Sequence, residues 1–392
     1  MTLLPFLAKP ADRIFWLKTV VVVAFCIGLF MSARLWIGPR SYPTAPVFSG
    51  LPALDERVAQ GLFALLFVLA AAILVAPKPQ KFIAAFLLIL VVFCGLDQTR
   101  WQPWVFQYGV LLATLGRFSW SSQDIDGERR TLNIARLVIA ATYVFSGLQK
   151  LNWNFVESDF PLIVHPITAL VPFAAKPLHF LGMAVPFVQA LFGIGLLTPR
   201  FRRISLVLAV SMHLFILAMF GPFGLDWNSI VWPWTAAMAV LDIVLFAGNA
   251  EFSLREAVWA KPWWDHAAVL ALFVLLPISS FFNLWDSYLS SAIYSGNLTE
   301  GTIYASDAGA SFLPAAIRQY VVHTSPNTNV LNIERWATED MGVVPYPETR
   351  VYKAITRSVC RYLGDPSQLV LIVREQRMFF TRPEVGYRCV DL

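Results

Sequence analysis

The stretch LNIARLVIAATYVFSGLQKLNWNF, residues 132–155, passes from a largely apolar run into a lysine, amides and two aromatic residues. The run from Leu132 to Leu148 is long enough to cross the hydrocarbon core of a bilayer as a helix, which takes about 17–25 residues. Lys150 lies two residues beyond its end. Two interpretations of this lysine are open: an interfacial anchor whose stem lies along lipid, or a reactive amine at the mouth of a membrane cavity.

The whole chain has the composition of a membrane protein. Of its 392 residues, 57% are hydrophobic and only 14% are charged, whereas soluble domains carry about 25% charged residues. The apolar residues also fall in blocks of membrane-crossing length. We therefore expect an all-α polytopic membrane bundle with about nine transmembrane helices. The predicted helices are Ile14–Gly38, Val58–Ala76, Phe82–Leu96, Pro103–Gly116, Leu132–Leu148, Leu178–Leu197, Ile204–Phe220, Ile230–Phe246 and His266–Phe282.

The composition changes after Phe282, where the chain becomes polar with scattered aromatic residues. In this polar region, the segment QLVLIVREQRMFF (368–380) is rich in β-branched and aromatic residues, which favours a strand. The spacing of Val351, Ile355 and Val359 favours a helix that ends at Gly364. We therefore predict a membrane domain over residues 1–282 and a small α+β extramembrane domain over residues 283–392.

Basic residues predict the orientation. Lys and Arg are enriched in cytoplasmic loops, and here they concentrate in alternate connections, above all in the turn with Arg200, Arg202 and Arg203. We expect a multi-pass protein of the inner cell membrane with a cytoplasmic amino terminus and an external or periplasmic carboxyl-terminal domain. The partners we expect are the lipid bilayer and a membrane or periplasmic protein, and no nucleic acid.

Cysteine usage agrees with this orientation. Cys26 and Cys94 lie in apolar helices, where they are expected to act as small core residues. Cys360 and Cys389 share the domain that is predicted to be external, and cysteines in an oxidising compartment can pair. The sequence does not show whether the Cα atoms approach within about 7 Å, so two free thiols remain an equal alternative. We predict a Cys360–Cys389 disulfide, because these two extramembrane cysteines share one oxidising domain.

A polar turn joins the third and fourth predicted helices. The segment LDQTRWQPWVFQY (96–108) places Asp97, Trp101, Gln102 and Trp104 at one membrane edge. Polar groups between apolar helices are expected to face protein or a cavity rather than lipid. A binding role for these residues and a structural role, in which Asp97 pairs with Arg100, are equally open.

Two further sites lie in or beside the seventh and eighth helices. His213 is an ionisable residue inside an apolar run, which marks a functional candidate, although a neutral imidazole bonded to Ser211 or a neighbouring helix would also fit. No second histidine lies at metal-ligand spacing, so we predict no metal site. Asp226 and Trp227 lie in an aromatic-rich edge that fits either an interfacial belt or the wall of a flat apolar slot.

The residues around Lys150 carry a resemblance to a known family. SGLQKLNWNFVE (146–157) resembles the AG-x-KKL-x-x-x-W-x-x-G stretch of the vitamin K-dependent gamma-carboxylases, within the wider group of HTTM (horizontally transferred transmembrane) domain proteins. The turn LDQTRW (96–101) is similar to that family's Asp-Lys-Thr-x-Trp turn, and MHLF (212–215) to its helix with an intramembrane histidine. The resemblance covers much of residues 14–250 in order, and a similar helix end occurs in DoxX-type membrane proteins.

The resemblance implies a role for Lys150 as the base that deprotonates a reduced quinone. Gln149 stands where the family has a further lysine, and Trp104 stands where it has a histidine. The chain is also much shorter, and the large lumenal region that handles protein substrates is largely absent. The resemblance therefore implies reduced-quinone chemistry rather than carboxylation of protein glutamates.

Three functions are open. In the first, Lys150 is a catalytic base on a reduced quinone or another lipid-soluble substrate, in an outward-facing cavity bounded by the fourth, fifth and seventh predicted helices, while His213 and Asp97 orient the substrate or relay protons. The second is a non-catalytic membrane subunit or DoxX-like scaffold. The third, ranked last, is a transporter, because paired broken helices are missing. The substrate-binding residues that we predict for the first function are Gln149, Trp101, Gln102, Trp104, Asn152, Asp226 and Trp227.

Overall fold

The computed structural model is a helical bundle that carries a small antiparallel sheet. It describes residues 7, 9–48, 50–51, 54–121, 124–248, 252–254, 257, 263–375 and 383–392. The helices of the bundle are α1 (Pro10–Met31), α2 (Ala33–Trp36), α3 (Glu56–Val75), α4 (Gln80–Leu96), α5 (Pro103–Arg117), α6 (Ile125–Gln149), α7 (Phe160–Leu170), α8 (Ala175–Leu197), α9 (Arg202–Phe220), α10 (Val231–Phe246), α11 (Trp263–Leu270) and α12 (Leu276–Ser280).

Five stretches of the described chain are long and apolar enough to cross a membrane: α1, α3, α6, α9, and α8 with the turn that precedes it. Three shorter apolar helices accompany them, namely α4, α10 and the run His266–Ser280. The structure therefore agrees with a helical membrane protein, and it does not confirm the prediction of about nine spans. Large apolar side chains lie exposed on the outer helices, for example Val68, Leu88 and Leu191, as expected of surfaces that contact lipid.

Helix α6 lies in the middle of the bundle. It is buried along most of its length and packs against α8, α10 and α1. Glycines permit a close approach to α8, because a Cβ atom on Gly147 would lie 2.6 Å from the backbone N of Ala190 and the backbone O of Pro186. Small residues at such contacts are typical of membrane helix pairs. The close contact places the end of α6, with Lys150, in the interior of the protein.

The segment between residues 149 and 177, which separates the fifth and sixth predicted helices, is largely helical. A π-helical turn (Phe155–Asp159) leads directly into α7. Phe155, Phe160 and Val164 are buried in a small apolar cluster of their own. The burial of these side chains against α8 stabilises helical structure that local patterning did not suggest.

The carboxyl-terminal part contains one five-stranded antiparallel sheet in the order β2-β3-β1-β4-β5. The predicted strand is present as β4, and the predicted helix is present but ends at Cys360 rather than at Gly364. Val351, Ile355 and Val359 are fully buried, as their spacing predicts. Part of the predicted strand, residues 376–380, lies outside the described residues. The elements are β1 (Glu300–Ala305), α13 (Asp307–Phe312), α14 (Ala315–Arg318), β2 (Val321–Ser325), β3 (Thr328–Leu331), α15 (Ile333–Met341), α16 (Thr349–Cys360), β4 (Leu369–Arg374) and β5 (Glu384–Arg388).

Hydrogen bonds join this domain to the bundle. The carboxylate of Asp340 in α15 accepts from the backbone N of Tyr42 at 2.6 Å and from the hydroxyl of Ser41 at 3.1 Å. The guanidinium of Arg350 in α16 donates to Gln98, in the turn before α5, and to Asp286. The sheet is therefore held against the same end of the bundle at which Lys150 lies.

Candidate functional site

Lys150 is buried, with only 8% of its surface exposed. It follows the last residue of α6, and its side chain turns back along that helix. Its Nζ atom donates to the backbone O of Ser146 at 2.9 Å and to the hydroxyl of the same residue at 2.7 Å. Among the described residues no carboxylate lies within ion-pair distance of this amine. A snorkelling lysine would extend toward water, and this side chain does not.

The amine of Lys150 lies in the wall of an apolar cavity of about 390 Å³. This volume falls in the range of about 300–1,000 Å³ that is typical of small-molecule sites. The cavity lies between α6, α8, α9 and α10, and the turn before α7 and residues 293–294 close it. We expected the fourth, fifth and seventh predicted helices to bound the cavity. The fourth predicted helix, α5, contributes none of the described lining residues, so this part of the expectation is wrong. The aromatic lining residues are Tyr143, Phe155, Phe160, Phe192, Phe215, Phe220, Trp234 and Tyr294.

A second group of polar side chains lies deeper along the same face of α6. Tyr143 precedes Lys150 by seven residues, which is two helical turns or about 10 Å along the axis. Its hydroxyl donates to Oδ2 of Asp242 at 2.6 Å and lies 2.6 Å from Nε2 of His213. A hydroxyl carries one proton, so His213 completes this chain of hydrogen bonds when Nε2 is the protonated nitrogen. Tyr143 and His213 both line the cavity.

Asp97 does not belong to this site. Its carboxylate forms an ion pair with Arg40 and accepts from the backbone N atoms of Ala45 and Thr99, both at 3.1 Å. These contacts hold the connection after α2 against the turn that follows α4. Asp97 is fully buried, but its partners satisfy it structurally, and Asp242 is the carboxyl group that lies beside His213.

The other residues of the 96–108 turn also pack inside the bundle. Gln102 donates to the backbone O of Thr99 at 2.9 Å. Trp104 packs edge-on against Phe25 with 5.6 Å between ring centroids. Trp101 is partly buried against the hydrophobic core. None of the three predicted substrate-binding residues in this turn lines the cavity.

Gln149 and Asn152 tie the end of α6 to the last residue of α12 and to the segment that follows it. The side chain of Gln149 donates to Ser280 at 2.8 Å and accepts from Asn297 at 2.7 Å. Asn152 donates to the backbone O of Ser295 at 2.7 Å. These contacts position the turn that carries Lys150, and neither side chain lines the cavity.

Asp226 and Trp227 lie in the turn between α9 and α10. Trp227 stacks on Phe220 with 5.6 Å between centroids and contacts Tyr294 at the same distance. Phe220 and Tyr294 line the Lys150 cavity, and Trp227 lies behind them. Asp226 has a left-handed backbone conformation with φ of 47°, and it is not a lining residue.

The most informative residue that the sequence analysis missed is Asp242. It is fully buried in α10, inside an apolar run where any carboxylate is a functional candidate. That signal was present in the sequence. Tyr143 and Ser146 gave no comparable signal, because neither a tyrosine nor a serine is unusual in such a helix.

Two remaining predictions concern covalent and metal chemistry. The structure contains a disulfide between Cys360 and Cys389, with Cα atoms 5.7 Å apart. Within the described residues no group of three or more His, Cys, Asp or Glu side chains is arranged to hold a metal ion. Comparison with known proteins adds no relative, since no family model, no curated protein and no solved structure matches this chain.

Proposed function

We propose that this protein binds a lipid-soluble aromatic compound, such as a reduced quinone, in the cavity between α6, α8, α9 and α10, and that Lys150 removes a proton from its hydroxyl group. The observation that carries the proposal is the position of the Lys150 amine in the wall of an apolar cavity. The resemblance to HTTM and gamma-carboxylase-like proteins supports it at the same residue.

The hydrogen bonds of Lys150 suit a base. A neutral amine has two N–H donors and one lone pair, and two donors are what the two oxygens of Ser146 require. The lone pair then remains for an incoming acid. In the proposed step the ligand O–H bond breaks and its proton moves to Nζ, which leaves an ammonium group and a ligand oxyanion. An ammonium that leaves water without a carboxylate partner loses hydration energy, which makes the neutral amine accessible.

The apolar wall would hold the ring of the ligand. The many aromatic side chains of the cavity offer flat surfaces for stacking. Tyr143 and His213 would provide polar contacts at the deeper end, about two helical turns from Lys150.

A naphthol tests the base directly. The probe is 1-naphthol, a single-hydroxyl analogue of a reduced naphthoquinone, whose anion absorbs at longer wavelength than the neutral form. Bound to the purified protein near neutral pH, it is expected to show the anion band, because the ammonium and the oxyanion stabilise each other as an ion pair. It should release no proton to the medium, because Lys150 takes the proton up. Lys150→Met is expected to bind the neutral form, because the base is gone. Lys176→Met, at an exposed lysine of α8, is the matched control.

Lys150→Arg separates a base from a simple positive charge. A guanidinium stays protonated, so any naphthol anion beside it forms with release of a proton that a pH indicator detects. The proposal fails if the probe does not bind the wild-type protein or binds it only in the neutral form, if Lys150→Met retains the anion band, or if the wild-type protein releases one proton to the medium for each naphthol anion that it binds. Mass spectrometry of lipid-soluble molecules that the protein retains after mild detergent purification is a separate experiment, and it would identify the natural ligand.

We also propose nine membrane crossings in the inner cell membrane, with the amino terminus in the cytoplasm and the sheet domain outside. The basic residues in alternate connections support this orientation, as does the disulfide in the sheet domain.

A further inference from the structure

A second cavity, of about 420 Å³, lies between the helical bundle and the sheet. We call it the upper cavity and the Lys150 cavity the lower one. Strand β1, the start of α15 and residues 293–299 form much of its wall. Its described lining includes Asp159, Asn332, Glu334 and Thr302, and this lining is more polar than that of the lower cavity.

The two cavities share part of their walls. Ile163, Ile293 and Tyr294 line both. One layer of side chains therefore separates the polar upper cavity from the cavity that contains Lys150. Tyr294 is the largest of the three and the only one with a polar group.

Tyr294 is held in an unusual conformation. Its φ is 50°, in the left-handed region that non-glycine residues rarely adopt. Its ring lies 4.6 Å from that of Phe220, and its hydroxyl accepts a hydrogen bond from the side-chain amide of Asn228. Asn228 is left-handed as well, with φ of 49°. Strained conformations of this kind persist where surrounding contacts enforce them, and they cluster at switch regions and ligand clamps.

We infer that Tyr294 closes a passage between the two cavities, through which a small polar reactant dissolved in water reaches Lys150. The lower cavity holds the apolar reactant, and the upper cavity receives the polar one from the side of the sheet domain. The inference rests on the proposed function in placing the apolar reactant in the lower cavity and in treating Lys150 as the reacting group. Rotation of the Tyr294 ring away from Phe220 and Asn228 opens the passage.

A cysteine in the lower cavity tests the passage without any substrate. Ser146→Cys, in a background with Cys26→Ala and Cys94→Ala, places a thiol of similar size in the lining beside Lys150. Two methanethiosulfonates probe it: a cationic, water-soluble trimethylammonium-ethyl reagent and the small neutral methyl reagent. In each case the thiolate attacks the reagent sulfur, a disulfide forms and methanesulfinate leaves. Mass spectrometry of the intact protein follows the rate.

The Ser146→Cys protein with Tyr294 and Asn228 intact is expected to react slowly with the cationic reagent. Tyr294→Gly removes the ring and suits the left-handed backbone, and it should accelerate this reaction by about tenfold or more, which corresponds to a barrier lowered by ~1.4 kcal/mol. Asn228→Gly removes the hydrogen bond to the Tyr294 hydroxyl, and glycine suits the left-handed backbone at residue 228. This variant should also react faster with the cationic reagent. Tyr294→Phe keeps the ring but loses the same hydrogen bond from Asn228, so it should accelerate the reaction about as much as Asn228→Gly and less than Tyr294→Gly. The neutral reagent should react at similar rates with the parent protein and with all three variants.

Filling the upper cavity is the complementary test. Thr302→Trp, within that cavity, should slow the cationic reagent in the native and the Tyr294→Gly backgrounds. Val390→Trp, at an exposed position after β5 that is not among the lining residues, is the control and should not. The inference is wrong if neither Tyr294→Gly nor Asn228→Gly accelerates the cationic reagent while the neutral one still reacts, or if Thr302→Trp has no effect. Labelling results are independent of naphthol binding, so this inference and the proposed function can fail separately.

Discussion

At the scale of single residues, burial changes what a charged side chain contributes, and Glu348 shows this at the junction of the two domains. Only 8% of its surface is exposed. Its Oε1 atom accepts from the backbone N and the hydroxyl of Ser287, both at 2.9 Å. Burial first, and then the nearby carboxylate of Asp286, raise the pKa of Glu348 to about 7, although hydrogen bonds from Ser287 and the charge of Arg350 oppose the shift.

This shift predicts a pH dependence of stability. Because the folded pKa lies above the ordinary value of 4.5, the contribution of Glu348 is fully present below about pH 4.5 and is lost as the pH rises through about 7. Glu348→Gln keeps an acceptor for Ser287 and removes the titration. The difference in unfolding free energy between the variant and wild type should therefore shift in favour of the variant by up to ~3 kcal/mol when the pH is raised from about 5 to about 8.

Thermal unfolding of the purified protein at both pH values measures this gain. Glu56→Gln, at an exposed residue of α3, serves as the control and should show the same difference from wild type at each pH. The prediction would be contradicted if the stability difference between Glu348→Gln and wild type were the same at both pH values.

At the scale of helices, the contact between α6 and α8 shapes the lower cavity. Gly147→Ala would place a methyl group 2.6 Å from backbone atoms of α8. Backbone cannot rotate away as a side chain can, so the two helices would have to separate. Overpacking of this kind costs about 1–3 kcal/mol, and we expect the unfolding temperature of Gly147→Ala to fall and the binding of 1-naphthol to weaken.

The chain offers a matched control for this substitution. Gly61 lies within α3, and a Cβ atom there would meet no atom within 4 Å. Gly61→Ala should therefore be neutral or stabilise by up to ~1 kcal/mol through helix propensity. Equal stability of Gly147→Ala and wild type would show that the helices are not in contact as closely as the structure places them.

At the scale of the whole molecule, the orientation in the membrane predicts which surfaces a membrane-impermeant thiol reagent reaches. Suitable reporter positions must be exposed on the protein surface. Ser311 in α13 and Arg203 in α9 are exposed. With cysteine at either position in intact cells, the reagent should label residue 311 and leave residue 203 unlabelled until the membrane is permeabilised. The reverse pattern would invert the proposed topology and place Lys150 on the cytoplasmic side.

The sequence by itself determined the properties that depend on local composition and period. Hydropathy over windows of membrane length indicates the class of protein, because each residue contributes to bilayer transfer almost independently of its neighbours in space. The buried stripe of α16 follows from helical spacing alone. The same logic located Lys150 at the end of an apolar helix, and the isolated ionisable residue His213 within another.

Only the tertiary structure decided which of these residues meet. Asp97 and Asp242 are both fully buried carboxylates, and their sequence contexts do not show that Arg40 pairs with the first while Tyr143 and His213 contact the second. Whether Lys150 extends toward water or enters a cavity depends equally on the close approach of α8 at Gly147. Such contacts depend on how helices distant in the chain pack, and packing is a property of complementary surfaces that no local pattern records.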